Sequence, residues 1–256
     1  MYNDALKKYY NYTDSRYAII TMDIDWAPDD IVEHTCNWLL SKNVPSTIFF
    51  THESELANNL QLNKNIEIGI HPDFSRNMDA NRCEKDMLKL YPNSKGSRSH
   101  KNIDGRIVTD ALKKNNILYH SNKLTWGLSH IEVLPVYNGL LEAPYFWEDG
   151  YHLELGKKLS IDEINIDTPG LKIFNIHPML FFLNCNDDDV RKKATYSIED
   201  LTTTNINDFK KFVNKGIGIT TLTKSIINYL IDKKYKFLLL NEVMSVARKN
   251  FQLDFS

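Results

Sequence analysis

Short apolar, β-branched or aromatic runs alternate along this chain with longer polar segments of helical spacing, which predicts strands followed by helices. The runs read YAIITMDID (17–25), STIFFTH (46–52), IEIGIH (66–71), GSRSH (96–100), NILYHS (116–121), LLEAPYFW (140–147), LKIFNIH (171–177) and GIGITTL (216–222). Between them, a helix is predicted from Asp29 or Asp30, turning Ile31, Val32, Cys36, Trp38, Leu39 and Leu40 towards the core. Further helices are predicted over 82–90, 105–114, 206–215, 222–232 and 241–249. Residues 178–205 are polar and rich in Asn and Asp, and predict a long loop with a short helix. Strand–helix alternation of this kind argues for a parallel sheet, closed or open. The expected architecture is α/β, in one domain spanning residues 1–256.

The ends of the predicted strands carry the candidate chemistry. Asp23 and Asp25 end the first run, and His52, His71, His100 and His177 end later ones, with His120 close to another such end. In parallel barrels, active sites assemble on the face formed by the carboxyl ends of the strands. Side chains alternate between the two faces of a strand. Asp23 and Asp25 are thus expected on one face, as are Glu67 with His71, Arg98 with His100, and Asn175 with His177. Two carboxylates on one face at a strand end repel each other unless a cation or a proton intervenes.

Composition narrows the partners. A formal net charge of −2 gives no basic field, so nucleic acid is not expected. No stretch reaches the roughly 20 apolar residues needed to cross a bilayer. The first residues, MYNDALKKYYNYTDSRY, hold no apolar leader region, and a cytoplasmic location is expected. The three scattered cysteines (Cys36, Cys83, Cys185) suit a reducing compartment. The cluster Asp187–Asp189 lacks the Gly and terminal Glu of a calcium loop and reads as a solvated turn that caps a helix at Val190. His34, His130 and His152 read as surface residues, and the tail helix as packing on the barrel or forming a contact between subunits.

In order and spacing these motifs resemble the polysaccharide deacetylases of carbohydrate esterase family 4, and within them a divergent WbmS-like branch linked to surface-glycan synthesis. The likeness spans about residues 17–225 and implies a distorted (β/α) barrel of seven strands. ITMDIDWAPDD resembles the family's acidic strand, EIGIH its metal-histidine strand, GSRSH its arginine motif, APYFWED its Trp/Asp motif and FNIHP its last motif. The family places a second metal histidine four residues after the first; here that position is Ser75. His100 is the expected replacement, with Asp73 as the weaker alternative.

The resemblance implies a divalent metal, Zn2+ first and Co2+, Ni2+ or Mn2+ as alternatives. It implies hydrolysis of a linear amide, most simply N-deacetylation of an amino sugar for O-antigen or capsule. Amide hydrolysis needs a strong nucleophile, oxyanion stabilisation and a proton for the leaving nitrogen. Asp25, His71 and His100 are expected to bind the ion, and Asp23 to act as general base with Arg98 fixing its direction. His177 is expected as general acid, oriented by Asp149. Trp147, Trp26 and His52 are expected to contact the substrate, and a backbone N–H near Trp26 or Ala27 to complete an oxyanion site. Two alternatives stay open: a different amide substrate on the same fold, and a sugar-binding homologue without catalysis.

Overall fold

The computed structural model describes residues 16–75, 79–196 and 198–251. The N-terminal segment on which the leader expectation rests lies largely outside them. Among the described residues, ten strands form one sheet: β1 (Tyr17–Asp23), β2 (Ser46–Phe50), β3 (Ile66–Ile70), β4 (Gly96–Ser97), β5 (Tyr119–His120), β6 (Leu134–Pro135), β7 (Leu141–Glu142), β8 (Trp147–Glu148), β9 (Ile173–Ile176) and β10 (Lys236–Leu238). The helices that matter for the site are α1 (Asp29–Ser41), α2 (Glu55–Leu60), α3 (Ala80–Leu90), α4 (Arg106–Lys114), α5 (Asp149–Glu154), α6 (Pro178–Leu183) and α7 (Asp188–Thr195). They are followed by α8 (Ile206–Phe209), α9 (Ile219–Asp232) and α10 (Leu240–Asn250).

Pairing runs β6-β7-β5-β4-β3-β2-β1-β9-β8, parallel throughout except between β6 and β7, while β10 joins the start of β1. β7 pairs with β5 and β8 pairs with β9, yet β7 and β8 lie on one stretch of chain. That stretch closes β1, β2, β3, β4, β5 and β9 into a distorted barrel. The fold class is the expected one. Ten strands stand where seven were expected, because one predicted strand splits into β7 and β8, and β6 and β10 lie off the ring.

The interior is polar at a defined level. Register aligns Glu67 with Thr47, Thr47 with Thr21, and Thr21 with Asn175. Thr47 Oγ1 donates to Glu67 Oε2 at 2.7 Å, and Thr21 Oγ1 donates to Asn175 Oδ1 at 2.9 Å. The amino end of α10 plugs the barrel below this level: Leu240 N–H donates to Thr47 Oγ1 and Asn241 N–H to Glu67 Oε2, both at 3.0 Å. A buried carboxylate meeting the positive end of a helix satisfies both groups.

Two segments differ from expectation. Residues 216–222 were expected as a strand, but α9 begins at Ile219. Its buried positions, Ile219, Leu222, Thr223, Ile226, Ile227 and Leu230, follow helical spacing, and that longer stripe overrides the local β-branched run. Residues 178–205, expected as mostly loop, contain α6 and α7. Asp187 caps α7 by accepting Val190 N–H at 3.1 Å.

Gly96 faces the Tyr119 ring on the adjacent strand, and a Cβ there would lie 2.1 Å from Tyr119 Cζ. The ring cannot retreat without releasing Glu67, to which its hydroxyl donates at 2.5 Å. Gly96→Ala is therefore expected to cost about 1–3 kcal/mol through overpacking. In a thermal melt, the midpoint should fall by several degrees with the circular dichroism of the folded state retained.

Candidate active site

β1 ends at Asp23, and the chain then leaves the sheet through a tight turn. Asp25 and Trp26 both have positive φ (43° and 60°), and Ala27 N–H closes the turn onto Ile24 C=O at 2.7 Å. Positive φ at both central positions is the geometry that Asn-Gly usually occupies, and holding other residues there costs on the order of 1–3 kcal/mol each. Strand alternation predicted Asp23 and Asp25 side by side. The structure brings the two carboxylates into one cavity by this turn instead.

Asp23 is buried and held from two sides. Its Oδ1 accepts from Arg98 Nη1 at 3.1 Å and its Oδ2 from Asn175 Nδ2 at 2.8 Å. Arg98 is 1% exposed. It also donates from Nε to Ser121 C=O and from Nη2 to Ser121 Oγ, each at 2.8 Å, and from Nη1 to Thr21 Oγ1 at 2.9 Å and to Asn175 Oδ1. The Phe49 and Tyr145 rings flank the guanidinium, their centroids 4.7 and 4.5 Å from Cζ. One arginine thereby joins β1, β4, β9 and the end of β5.

Asp25 faces three imidazoles. Its Oδ1 lies 3.2 Å from His71 Nε2 and 3.0 Å from His100 Nδ1, and its Oδ2 lies 3.7 Å from His177 Nε2. Burial works to raise the Asp25 carboxyl, but hydrogen bonds to His100 and His71 and the nearby His177 hold it well below the usual carboxylate range. Burial opposes the charged form of His71, yet Asp23 and Asp25 outweigh it and raise its pKa. Two ring nitrogens converging on one carboxylate oxygen is the donor set of a divalent first-row ion. The ligand atoms of Asp25, His71 and His100 all lie within 4.8 Å of one another, so these residues fit such an ion.

His100 reaches this position from the first residue of a 3-10 turn, His100–Asn102, after β4. Its N–H donates to Pro72 C=O at 3.0 Å, which ties it to the chain just beyond His71. Ser75 points elsewhere: its hydroxyl and its N–H both donate to Asp73 Oδ1, at 2.6 and 3.0 Å. Asp73 is thus engaged in a local turn and does not line the cavity.

His177 sits on the other side of Asp25. Its Nδ1 lies 2.6 Å from Asp149 Oδ1, and its backbone N–H donates to Asp149 Oδ2 at 2.8 Å. Burial opposes the imidazolium, but Asp149 above all, with Asp25 and Glu148, raises its pKa well above the ordinary value. Asp149 opens α5, fully buried, so the carboxylate also stands in that helix's first turn.

Asp23, Asp25, His71, His100 and His177 line a cavity of about 650 Å³. The three residues expected to touch substrate do not line it. Trp147 is 1% exposed and packs in the core, where its Nε1 donates to His152 Nδ1 at 3.2 Å. His152, expected at the surface, is fully buried and bonds Lys158 C=O through Nε2 at 2.8 Å. Trp26 sets its ring edge-to-face on His100, centroids 4.8 Å apart, and supports that ring from behind. His52 pairs with Thr51 Oγ1 at 2.9 Å. The N–H groups expected near an oxyanion are engaged within the turn: Trp26 N–H donates to Thr51 Oγ1 at 3.1 Å and Ala27 N–H to Ile24 C=O.

Glu148, Tyr151, Lys101 and Arg191 line the cavity and were not anticipated. Alternation around Trp147 held the signal for Glu148, since a tryptophan turned into the core turns its neighbour the other way. Tyr145 Oη donates to Glu148 Oε2 at 2.8 Å, and burial pushes the Glu148 carboxyl up against the pull of His177.

The family model described as WbmS-like: Polysaccharide deacetylase matches residues 20–195. Among solved structures, a Bordetella bronchiseptica protein assigned to the polysaccharide deacetylases and to O-antigen biosynthesis superposes with a TM-score of 0.75 at 21% identity, covering 83% of this chain and 90% of that one. A pseudoenzyme of carbohydrate esterase family 4 from Bacillus anthracis has a TM-score of 0.51 at 11% identity, covering 91% of this chain and 66% of that one. At these identities the structural likeness concerns the fold. No curated protein gives a significant match.

The Arg98–Asp23 pair yields a stability test. Arg98→Met leaves the Asp23 charge uncompensated and should cost about 3–5 kcal/mol in urea unfolding. Adding Asp23→Asn removes the stranded charge, so the double variant should be more stable than Arg98→Met alone. Equal or greater loss in the double variant contradicts the pairing.

Proposed function

The chain belongs to the WbmS-like polysaccharide deacetylase family, and from that membership and the geometry of the cavity we propose that it is a divalent-metal-dependent hydrolase removing an N-acyl group from an amino sugar. The observation that carries this reading is the convergence of His71 and His100 on Asp25, with Asp23 on one side and the Asp149–His177 pair on the other. An ion held by Asp25, His71 and His100 supplies positive charge for the amide oxygen and acidifies water.

The chain's own residues do the rest. Arg98 and Asn175 each occupy one oxygen of Asp23, which fixes the plane of the carboxylate. In that orientation Asp23 takes the proton of the attacking water as its oxygen bonds to the acyl carbon. His177 holds its proton because Asp149 outweighs the cost of burial. As the carbon–nitrogen bond breaks, it delivers that proton from Nε2 to the departing nitrogen, leaving a carboxylic acid and a free amine. Proton return from Asp23 to His177 through solvent restores the starting state.

The reading extends to an amino-sugar precursor of surface polysaccharide, handled in the cytoplasm. The O-antigen assignment of the Bordetella neighbour and the three free thiols, Cys36, Cys83 and Cys185, support it. A second reading, sugar binding without turnover, is favoured by Ser75 at the usual ligand position; the Asp149–His177 pair argues against it.

Loading with Zn2+ followed by metal analysis should show that His71→Ala loses one equivalent of ion. Asp23→Asn should keep that ion yet lower acetate release from an N-acetyl amino sugar by about 10²–10⁴-fold, the usual worth of a general base. Full turnover in Asp23→Asn rejects the base assignment, and metal retention without turnover in the unmodified chain favours the binding reading.

A further inference from the structure

A second cluster of metal-binding residue types lies on the other face of the sheet. Register pairs His120 of β5 with Glu142 of β7. Tyr119 and Ser121 point into the barrel, to Glu67 and Arg98, so His120 between them points outward. His120 is 2% exposed and Glu142 4%. None of the residues of this cluster lines the active-site cavity.

The side chains are buried and incompletely satisfied. Glu142 Oε1 accepts the N–H groups of Asn122 and Lys123 at 3.0 and 3.3 Å, which turns Oε2 towards His120. His120 Nε2 lies 3.0 Å from Glu142 Oε2. Despite that distance, the two atoms are not aligned as a hydrogen bond. Both ring nitrogens of His120 and Glu142 Oε2 are buried without a hydrogen-bond partner among the described residues. Such groups cost about 1–3 kcal/mol each when left unmet. Asp104 completes the set, with ligand atoms of the three residues all within 4.8 Å of one another.

We propose that Asp104, His120 and Glu142 form a second divalent-cation site, structural in role, that takes a first-row ion such as Zn2+ or Mn2+. Two donors each about 2.1 Å from one ion, at angles between about 90° and 109°, stand about 3.0–3.4 Å apart, which matches the His120–Glu142 separation. Two carboxylates and one neutral imidazole balance the charge of a divalent ion. Asp104 Oδ1 is fixed by Gly105 N–H at 2.7 Å, and its Oδ2 pairs with the half-exposed Lys123 ammonium. Lys123 occupies the Asp104 carboxylate in the ion-free form and swings to solvent when the ion binds. The ion would clamp β5 and β7 to the turn ahead of α4, beside the chain segment that carries Arg98 and His100.

The test is calorimetric titration of metal-stripped protein with Zn2+, using the unmodified chain, His71→Ala, Glu142→Gln and the double variant. The expected equivalents are two, one, one and none. Glu142→Gln keeps the acceptor for Asn122 and Lys123, so folding should survive, and His120→Gln serves as the second probe of the same site. Zn2+ should also raise the melting temperature of His71→Ala but not of His71→Ala/Glu142→Gln. A folded His71→Ala chain that binds no Zn2+, or binds it equally after Glu142→Gln and His120→Gln, overturns the second site. A single equivalent kept in His71→Ala and lost in Glu142→Gln leaves this site standing and rejects the active-site ion instead.

Discussion

A buried guanidinium inside the barrel organises the rest of the structure. The burial of the Arg98 guanidinium is tolerable because the barrel meets it with Asp23, Thr21, Asn175 and Ser121. Every one of those partners lies on a different strand from Arg98. Strand register and the direction of Asp23 are therefore set by one interaction. A slip of one residue in β1 or β9 would turn the partners outward and strand the charge. The strength of the pair is thus inseparable from the geometry of the proposed base.

Above this fixed layer, the cavity separates two electrostatic jobs. Asp25 gathers imidazoles at an oxygen held in its ionised form, which suits binding a cation. Asp149 stands behind His177 and keeps the ring charged, which suits giving a proton. The two carboxylates achieve opposite ends because one faces His71 and His100 together and the other is fully buried against a single imidazole. The turn at Asp25 and Trp26 carries backbone strain at the point where both functions meet, and it sets the Trp26 ring edge-to-face against His100.

Much of this was legible in the sequence. Asp23, His71 and His177 stood at or just past the ends of apolar runs, and a parallel barrel carries such residues to one face. His100 stood at such an end too, and the structure brings it beside Asp25 and His71. What alternation missed are places where the chain leaves regular structure. Asp25 enters through a left-handed turn, which no local residue preference announces, because Asp-Trp is a poor match for it. Trp147 reads as a sugar platform by type, but β8 lasts two residues before α5 begins, and the ring ends in the core. Residues 216–222 look β-prone in isolation, and only the longer stripe through Leu230 shows the helix.

In the proposed site Asp25, His71 and His100 share one ion, with Ser75 excluded. Crystals grown with Zn2+ and measured on both sides of the zinc absorption edge test it directly. An anomalous peak is expected within about 2.0–2.2 Å of one Asp25 oxygen, His71 Nε2 and His100 Nδ1. A fully loaded crystal with no peak there, or with a peak coordinated by Asp73 in place of His100, would contradict it.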